Sequence, residues 1–276
     1  RNCAPTISRQ LQRIHSWEPI AGIMYSNPLV GYTRNGRIMA LRFFCDQVFS
    51  HKACFDAHEV AHLRSMRKNP GDLIEFTDGI GWIYRGVISE IGPKKAIVSI
   101  QDKTKGVDKE GSRFPVWLCL AISRWNREAV MIEKASELGV QGLVIYRGER
   151  SQRASENPEK VRFVLRNALK QCGGTVLPET IFLELLSRTS IQRIPSGQWI
   201  LLDPSAPDSI HNIKANPGQI TVLWVGPEGG FSKEETQLLF ELNTRPFHLG
   251  NRILRLETAA IVSLGYLMIQ RADCDE

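Results

Sequence analysis

Several features are scarce or missing in this chain, and each absence removes a class of protein. No run of eighteen apolar residues occurs in its 276 residues, so no segment reads as a transmembrane helix. The six cysteines (Cys3, Cys45, Cys54, Cys119, Cys172 and Cys274) form no CxxC pair. That argues against a zinc ribbon or a disulfide framework and fits a reducing compartment. No glycine-rich loop ends in Gly-Lys-Ser/Thr and none reads G-x-G-x-x-G, so the Walker and dinucleotide signatures are both missing. Acids are short in the first part: residues 1–115 carry 17 Lys and Arg against 11 Asp and Glu, whereas 116–276 carry 18 of each. The net charge of +6 therefore lies wholly in the first part. A basic module beside a neutral one suits a polyanion binder joined to something else, and a solvated surface accounts for the charge equally well.

What is present is an ordinary globular composition, 42% hydrophobic and 23% charged, long enough for one large domain or two smaller ones. Residues 1–36 hold Arg1, Arg9, Arg13 and Arg34 but a single acid, Glu18, and show no period. They read as a disordered leader or extension, and "MALRFF" from Met39 reads as a more natural start. An acid-poor leader of this kind resembles an organelle transit peptide, and residues added ahead of the natural start explain it equally well. Residues 37–104 read as β structure: "DLIEFTDGIGWIYRGVISEIGPKKAIVSIQD" has three strand-like runs parted by turns at Asp78-Gly79 and Gly92-Pro93. The charged stretch 104–113 has the composition of a linker.

From 114 to 276 strand and helix patterns alternate, which predicts an α/β domain with a largely parallel sheet. Strands are expected at 116–122, 142–146, 199–203, "TVLWV" and "PFHL". Helices are expected over "WNREAVMIEKASELG", closed by Gly139, near 158–171 and 180–188, from 233, and from about 256. The last helix, "ETAAIVSLGYLMIQ", is apolar almost all round, so it is expected to be buried on every side, within the domain or against a second subunit.

The candidate site starts at "VLWVGPEGGFSKEE" (222–235), a buried-strand run, a Pro-Glu-Gly-Gly bend and a helix start. Ser232 and Glu235 have the spacing of a capping box. Glu228 would put negative charge at the helix entrance, so the bend suits a neutral or cationic ligand held by backbone groups better than a phosphate. A plain turn that needs glycine for positive φ explains the stretch equally well. A second strand end, "HLGNRILRLETAA" (248–260), adds a glycine and two arginines before another helix. Together the two turns could line one crevice at the carboxyl ends of parallel strands.

The pair "VGPEGGFSKEE" and "LGNRILRLETA" is similar to the paired signature of the RsmE-like 16S ribosomal RNA uridine N3-methyltransferases, in the SPOUT superfamily. "AISRWNREAVMIEKASELGV" and "ERS" (149–151) resemble further elements of that family, and the basic β region resembles its PUA-like RNA-binding domain. The likeness covers roughly 39–272. It implies a trefoil-knotted α/β domain after a PUA-like β-barrel, S-adenosylmethionine as cofactor, and a homodimer acting on small-subunit ribosomal RNA in ribosome biogenesis. The compartment would be the cytoplasm, or an organelle if the leader is a transit peptide.

The resemblance places Val225, Gly226, Pro227, Glu228, Gly229 and Gly230 on one wall of the cofactor pocket. Leu249, Gly250, Ile253, Leu254, Glu257 and Thr258 form the other wall, and Leu202 and Asp203 a third edge. The chain departs from the family pattern at Arg124, Asn126 and Gly174, the last standing where an arginine is usual.

Methylating uridine N3 is an in-line displacement that builds negative charge on the base, a task for fixed donors. Arg252 and Arg255 bracket the cofactor loop and are the catalytic candidates, with phosphate binding or an ion pair to Glu257 as the alternative role. His248 and Glu257 are near enough in sequence to be considered as a base. Arg64, Arg67, Lys68, Arg124, Arg127 and Arg150 are candidate RNA-phosphate contacts. His51, Cys54, His58 and His62 fall at helical spacing, but capping or packing is expected of them and no metal site. Two other functions share these motifs: a non-catalytic RNA-binding assembly factor, and a SPOUT methyltransferase with another RNA target.

Overall fold

The computed structural model describes residues 33–34, 37–38, 42–106, 115–151, 157–214, 216 and 218–272. The expected leader lies outside them apart from Thr33–Arg34 (β1), which pairs antiparallel with Arg37–Ile38 (β2). The expected linker lies outside them beyond Gly106. Residues 1–40 and 41–276 are separate compact units, and all that follows concerns the second.

Its first part is a five-stranded sheet of β3 (Phe43–Phe44), β4 (Lys52–Phe55), β5 (Leu73–Thr77), β6 (Trp82–Ile91) and β7 (Ala96–Lys105), in the order β3-β5-β6-β7-β4. The pairings are antiparallel except β3 with β5. Both expected turns form. Asp78 accepts the N–H groups of Ile80 and Trp82, Gly79 takes φ 79°, and the Gly92 N–H reaches the Lys95 carbonyl at 2.8 Å. The core is aromatic, with Phe55 edge-on to Phe76 and Phe76 stacked on Tyr84.

A helix not expected here, α1 (Ala57–Ser65), is started by Asp56, whose carboxylate accepts the Glu59 N–H at 2.9 Å. It separates the four-residue His/Cys pattern: Cys54 belongs to β4, while His62 packs on Phe43 and His58 stands edge-on to Phe163. Among the described residues no group of three or more His, Cys, Asp or Glu side chains is arranged to hold a metal.

The second part is a six-stranded parallel sheet. Its strands are β8 (Val116–Ala121), β9 (Gly142–Tyr146), β10 (Glu179–Leu183), β11 (Gln198–Leu202), β12 (Thr221–Val225) and β13 (Arg245–Phe247), ordered β10-β9-β8-β12-β11-β13. Helices cover both faces: α2 (Trp125–Glu137), α3 (Pro158–Cys172), α4 (Arg188–Ile191), α5 (Lys233–Glu241) and α6 (Leu256–Ala272). The period of two decides which face each side chain serves. On β8, Val116, Leu118 and Leu120 join a core with α2, α3 and α6, while Trp117, Cys119 and Ala121 join one with α5.

Local chemistry sets the helix ends. Asn157 accepts the Glu159 and Lys160 N–H groups before Pro158, and Gly139 and Gly173 close α2 and α3 at positive φ. The Ser232–Glu235 box is complete, with both reciprocal bonds formed.

One expectation fails. Residues 180–188 are not a helix: Ile181 and Leu183 instead reach the core from strand β10, which pairs with β9 through five consecutive residues. Strand pairing outweighs the local helical spacing there. Helix α6 packs inward through Ala260, Ser263, Leu264 and Leu267, and within this chain Val262 and Ile269 stay exposed. Among the described residues no helix is long and apolar enough to cross a membrane, and Cys45, Cys54, Cys119 and Cys172 are free thiols.

Ion pairs join the two sheets' outer helices. Lys170 of α3 donates to Glu59 of α1 at 2.5 Å, with side chains only 8% and 5% exposed. Arg166 of α3 pairs with Asp46 and Asp56 and lies over the Phe44 ring. Burial pushes the Glu59 carboxyl up, but the bonds from His62 and Lys170 outweigh it and hold the carboxyl below its ordinary range. A depressed carboxyl contributes stability above its unfolded value, and that stability is lost as pH falls through the folded one. Lys170→Ala strands this buried carboxylate and is expected to cost about 3 kcal/mol at neutral pH. The gap from wild type should narrow on acidification below about pH 4, as urea-unfolding midpoints would record.

Candidate functional site

Parallel strands send all their carboxyl ends to one edge of the sheet. At that edge β8, β12, β11 and β13 are neighbours, so the segments that follow them are gathered there. After β12 the chain enters the bend. Gly226 is needed for packing, since a Cβ there would lie 2.6 Å from the Phe231 ring. The Gly230 N–H closes a turn on the Pro227 carbonyl at 2.8 Å, and Gly230 takes φ 72° with open space where a Cβ would go. Glu228, Gly229 and Gly230 are exposed, and Pro227 is buried.

After β13, the His248 Nδ1 accepts the Gly250 N–H at 3.0 Å, which leaves the proton of the neutral ring on Nε2. Gly250 takes φ 113°, again facing open space. Ile253 is 89% exposed, Arg252 and Arg255 are exposed, and Leu254 is half-buried. Thr258 is exposed in the first turn of α6. The Glu257 Oε2, also in that turn, is buried without a hydrogen-bond partner among the described residues. At the end of β11 the Asp203 N–H reaches the Phe247 carbonyl at 3.0 Å, and its carboxylate is taken up by Ser205.

Two arginines expected to touch RNA are turned to the bend. Arg127 of α2 makes an ion pair with Glu228, and Arg150 donates to the Gly229 carbonyl at 2.9 Å. Arg124 is exposed just before α2. Arg64, Arg67 and Lys68 stand at the end of α1, beside the other sheet, with Arg64 bonded to the Gly92 carbonyl. Gly174 follows the α3 cap, where the Arg42 guanidinium reaches the Gly173 carbonyl and a Cβ on Gly174 would meet Leu169.

Sequence reading missed the ties behind the bend. The Glu235 carboxylate accepts both the Ser232 N–H and, across 86 residues, the Glu149 N–H at 2.8 Å. The buried Tyr146 hydroxyl donates to the Val225 carbonyl at 3.2 Å, and burial holds its proton on well above the usual phenol value. The capping box signalled the first of these bonds, and nothing local signals the others. An open groove of about 610 Å³ runs along α5 between Phe231 and Glu241; it takes in Phe231, Ser232 and Lys233 at the end of the first motif but none of the glycines of either turn.

Two family models match the chain: an RNA methyltransferase domain over residues 110–268 and an RNA methyltransferase PUA domain over residues 55–101. The ribosomal RNA small subunit methyltransferase E of Mycobacterium tuberculosis is 26% identical over 243 residues, covering 83% of this chain and 91% of that one. A predicted RNA methyltransferase from Thermotoga maritima superposes with a TM-score of 0.70 at 34% identity, over 83% of this chain and 98% of that one. A putative methyltransferase from Legionella pneumophila, in complex with the bound cofactor SAM, gives 0.74 at 25% identity, over 83% and 97%. The chain belongs to this RNA methyltransferase family, the one that includes the ribosomal RNA small subunit methyltransferases E. The five-stranded sheet is thus its PUA-like part and the parallel sheet its methyltransferase part.

Removing the Glu235 carboxylate breaks the cap bond from the Ser232 N–H and the tie to Glu149, while the Glu235 N–H still reaches the Ser232 Oγ. Glu235→Ala is expected to lose about 2 kcal/mol, read as a lower thermal midpoint, and Glu235→Gln about half of that.

Proposed function

We propose that this RNA methyltransferase transfers a methyl group from S-adenosylmethionine to N3 of a uridine in 16S small-subunit ribosomal RNA. It does so as a homodimer whose catalytic domain, residues 114–276, carries the SPOUT trefoil knot, with residues 37–104 as the RNA-binding domain. The observation that carries the reading is the gathering of 202–203, 225–230 and 249–258 on one sheet edge, with glycine backbone facing open space. The small-subunit relatives and the SAM-bound neighbour supply the substrate and cofactor. The exposed Val262 and Ile269 of α6 supply an apolar face for the second copy. The enzyme acts where small subunits are assembled, in the cytoplasm or an organelle.

The donor set fits that cofactor. Gly230 and Gly250 admit close backbone approach, and the unpartnered Glu257 oxygen suits an ammonium group. When bound, the cofactor supplies an electrophilic methyl on a cationic sulfur. The bend and the loop 249–258 hold the base and the methyl carbon in line. Arg252 and Arg255, exposed at the rim, take up the negative charge that develops on the uracil carbonyl oxygens. His248 is not the base: its Nδ1 lone pair is used by Gly250, and its Nε2 carries the proton. Arg64, Arg67, Lys68 and Arg124 bind RNA phosphates.

Calorimetric titration with S-adenosylmethionine should show binding by the wild type. It should be lost in Gly229→Val, whose side chain would drive into Arg150 at 3.3 Å. Arg255→Ala should keep cofactor affinity and lose about a hundredfold in methyl transfer to small-subunit RNA. Primer extension on that RNA locates the product, because N3 methylation blocks the pairing edge of uracil. A stop at another base would revise the target, and wild-type protein that binds no cofactor would leave an RNA-binding assembly factor.

A further inference from the structure

We infer that Arg127 and Arg150 are positioning residues that hold the cofactor bend, and are not RNA-phosphate contacts. The inference rests on the adenosylmethionine reading of that bend. Residues 228–230 are exposed and contain two glycines, which lose the most conformational entropy on ordering. One turn bond closes the bend from within, Gly230 N–H to the Pro227 carbonyl. The other described ties come from outside it. Arg127 reaches Glu228 from the first turn of α2, and Arg150 reaches the Gly229 carbonyl from the loop after β9.

Gly229 is the telling residue. Its φ is not in the left-handed region, so its conformation does not call for glycine. Its missing side chain is matched by an arginine instead: a Cβ on Gly229 would lie 3.3 Å from the Arg150 Cβ and 3.5 Å from its Cδ. The Arg150 stem thus lies across the bend and its guanidinium caps the carbonyl, a charge-assisted bond.

The platform under Arg150 is itself stiff. The Gly148 N–H bonds the Ser151 Oγ, the Ser151 N–H returns to the Gly148 carbonyl, and the Glu149 N–H is tied to the buried Glu235. A side chain anchored in this way can transmit position to the bend. The bond to the Gly229 carbonyl is the one that fixes the guanidinium on the bend.

The two roles separate in measurement. A phosphate contact, when removed, weakens RNA binding and lowers its salt slope by about one, while cofactor affinity stays unchanged. A positioning residue does the reverse. The test uses the full chain carrying Arg150→Ala, Arg150→Lys or Arg127→Gln. S-adenosylmethionine affinity is measured by calorimetry, and 16S ribosomal RNA affinity at several salt concentrations. Arg150→Ala should weaken the cofactor about tenfold, with Lys restoring part of the loss, while the RNA salt slope stays at its wild-type value. Arg127→Gln should weaken the cofactor by a smaller factor. Combined with Gly229→Ala, Arg150→Ala should be less than additive.

Hydrogen exchange of residues 226–232 in cofactor-free protein provides a readout that does not depend on the cofactor. It should speed up in both Arg150 variants. Unchanged exchange and unchanged cofactor affinity, with a lower RNA salt slope, would overturn the inference. Wild-type protein that binds no cofactor would sink the adenosylmethionine reading instead, while exchange alone still decides whether the arginines hold the bend.

Discussion

A parallel sheet cannot avoid collecting its strand ends. Because β8, β12, β11 and β13 run the same way and lie side by side, three distant stretches of chain are delivered to one edge by strand order alone. The site then depends on what those stretches do after leaving the sheet. Two of them turn on glycines at positive φ, Gly230 and Gly250, so backbone and not side chain faces the open space. That arrangement fits a ligand recognised by hydrogen bonds to peptide groups. It leaves to nearby side chains the task of keeping flexible loops in place.

The same logic governs how the PUA-like part is attached. Its helix α1 meets α3 through a buried ion pair, Glu59 with Lys170, ringed by His62, the Phe44 N–H and the Arg166–Asp46 pair. Two buried charges gain little over a well-packed apolar contact, because desolvation consumes most of their attraction. What they add is register, since a carboxylate with several fixed donors tolerates only one placement. Turn 78–81 is held likewise, with the Leu177 N–H on the Gly79 carbonyl and the Gly81 N–H on the Thr175 carbonyl. The RNA-binding sheet is thus set against the methyltransferase sheet through side chains and backbone together.

Most of the parallel sheet was legible because its signals are local. Runs such as "VWLCLA" and "TVLWV" are apolar on both faces, as strands covered by helices on both sides must be, and the signals at Gly139 and Ser232 mark their helices within a few residues. Where local spacing and long-range pairing disagreed, pairing won, as at β10, whose Ile181 and Leu183 are set by β9. Helix α1 was missed because its inward residues Val60 and Leu63 are few among charged and histidine neighbours. For the candidate site, the two glycine turns could be read directly. The partners of the bend could not, since Arg127 and Arg150 lie 101 and 79 residues before the groups they touch. Nothing in a short window distinguishes an arginine that will meet a carbonyl from one that will meet a phosphate.

That last ambiguity has a physical origin. Arginine presents five donors in a planar fork, and a peptide carbonyl, a carboxylate and a phosphate all satisfy it. Which one it meets is decided by the reach of its stem and by what stands opposite. Here Gly229 stands opposite Arg150, and the open surface over that glycine lets the stem lie flat on the bend, so the guanidinium arrives at the carbonyl already oriented. The glycine-rich bend is ordered by side chains that reach it from α2 and from the loop after β9, which on the proposed reading costs less entropy than ordering it afresh each time a ligand binds. The glycines and the arginines are therefore one device, and neither set can be understood from its own stretch of sequence.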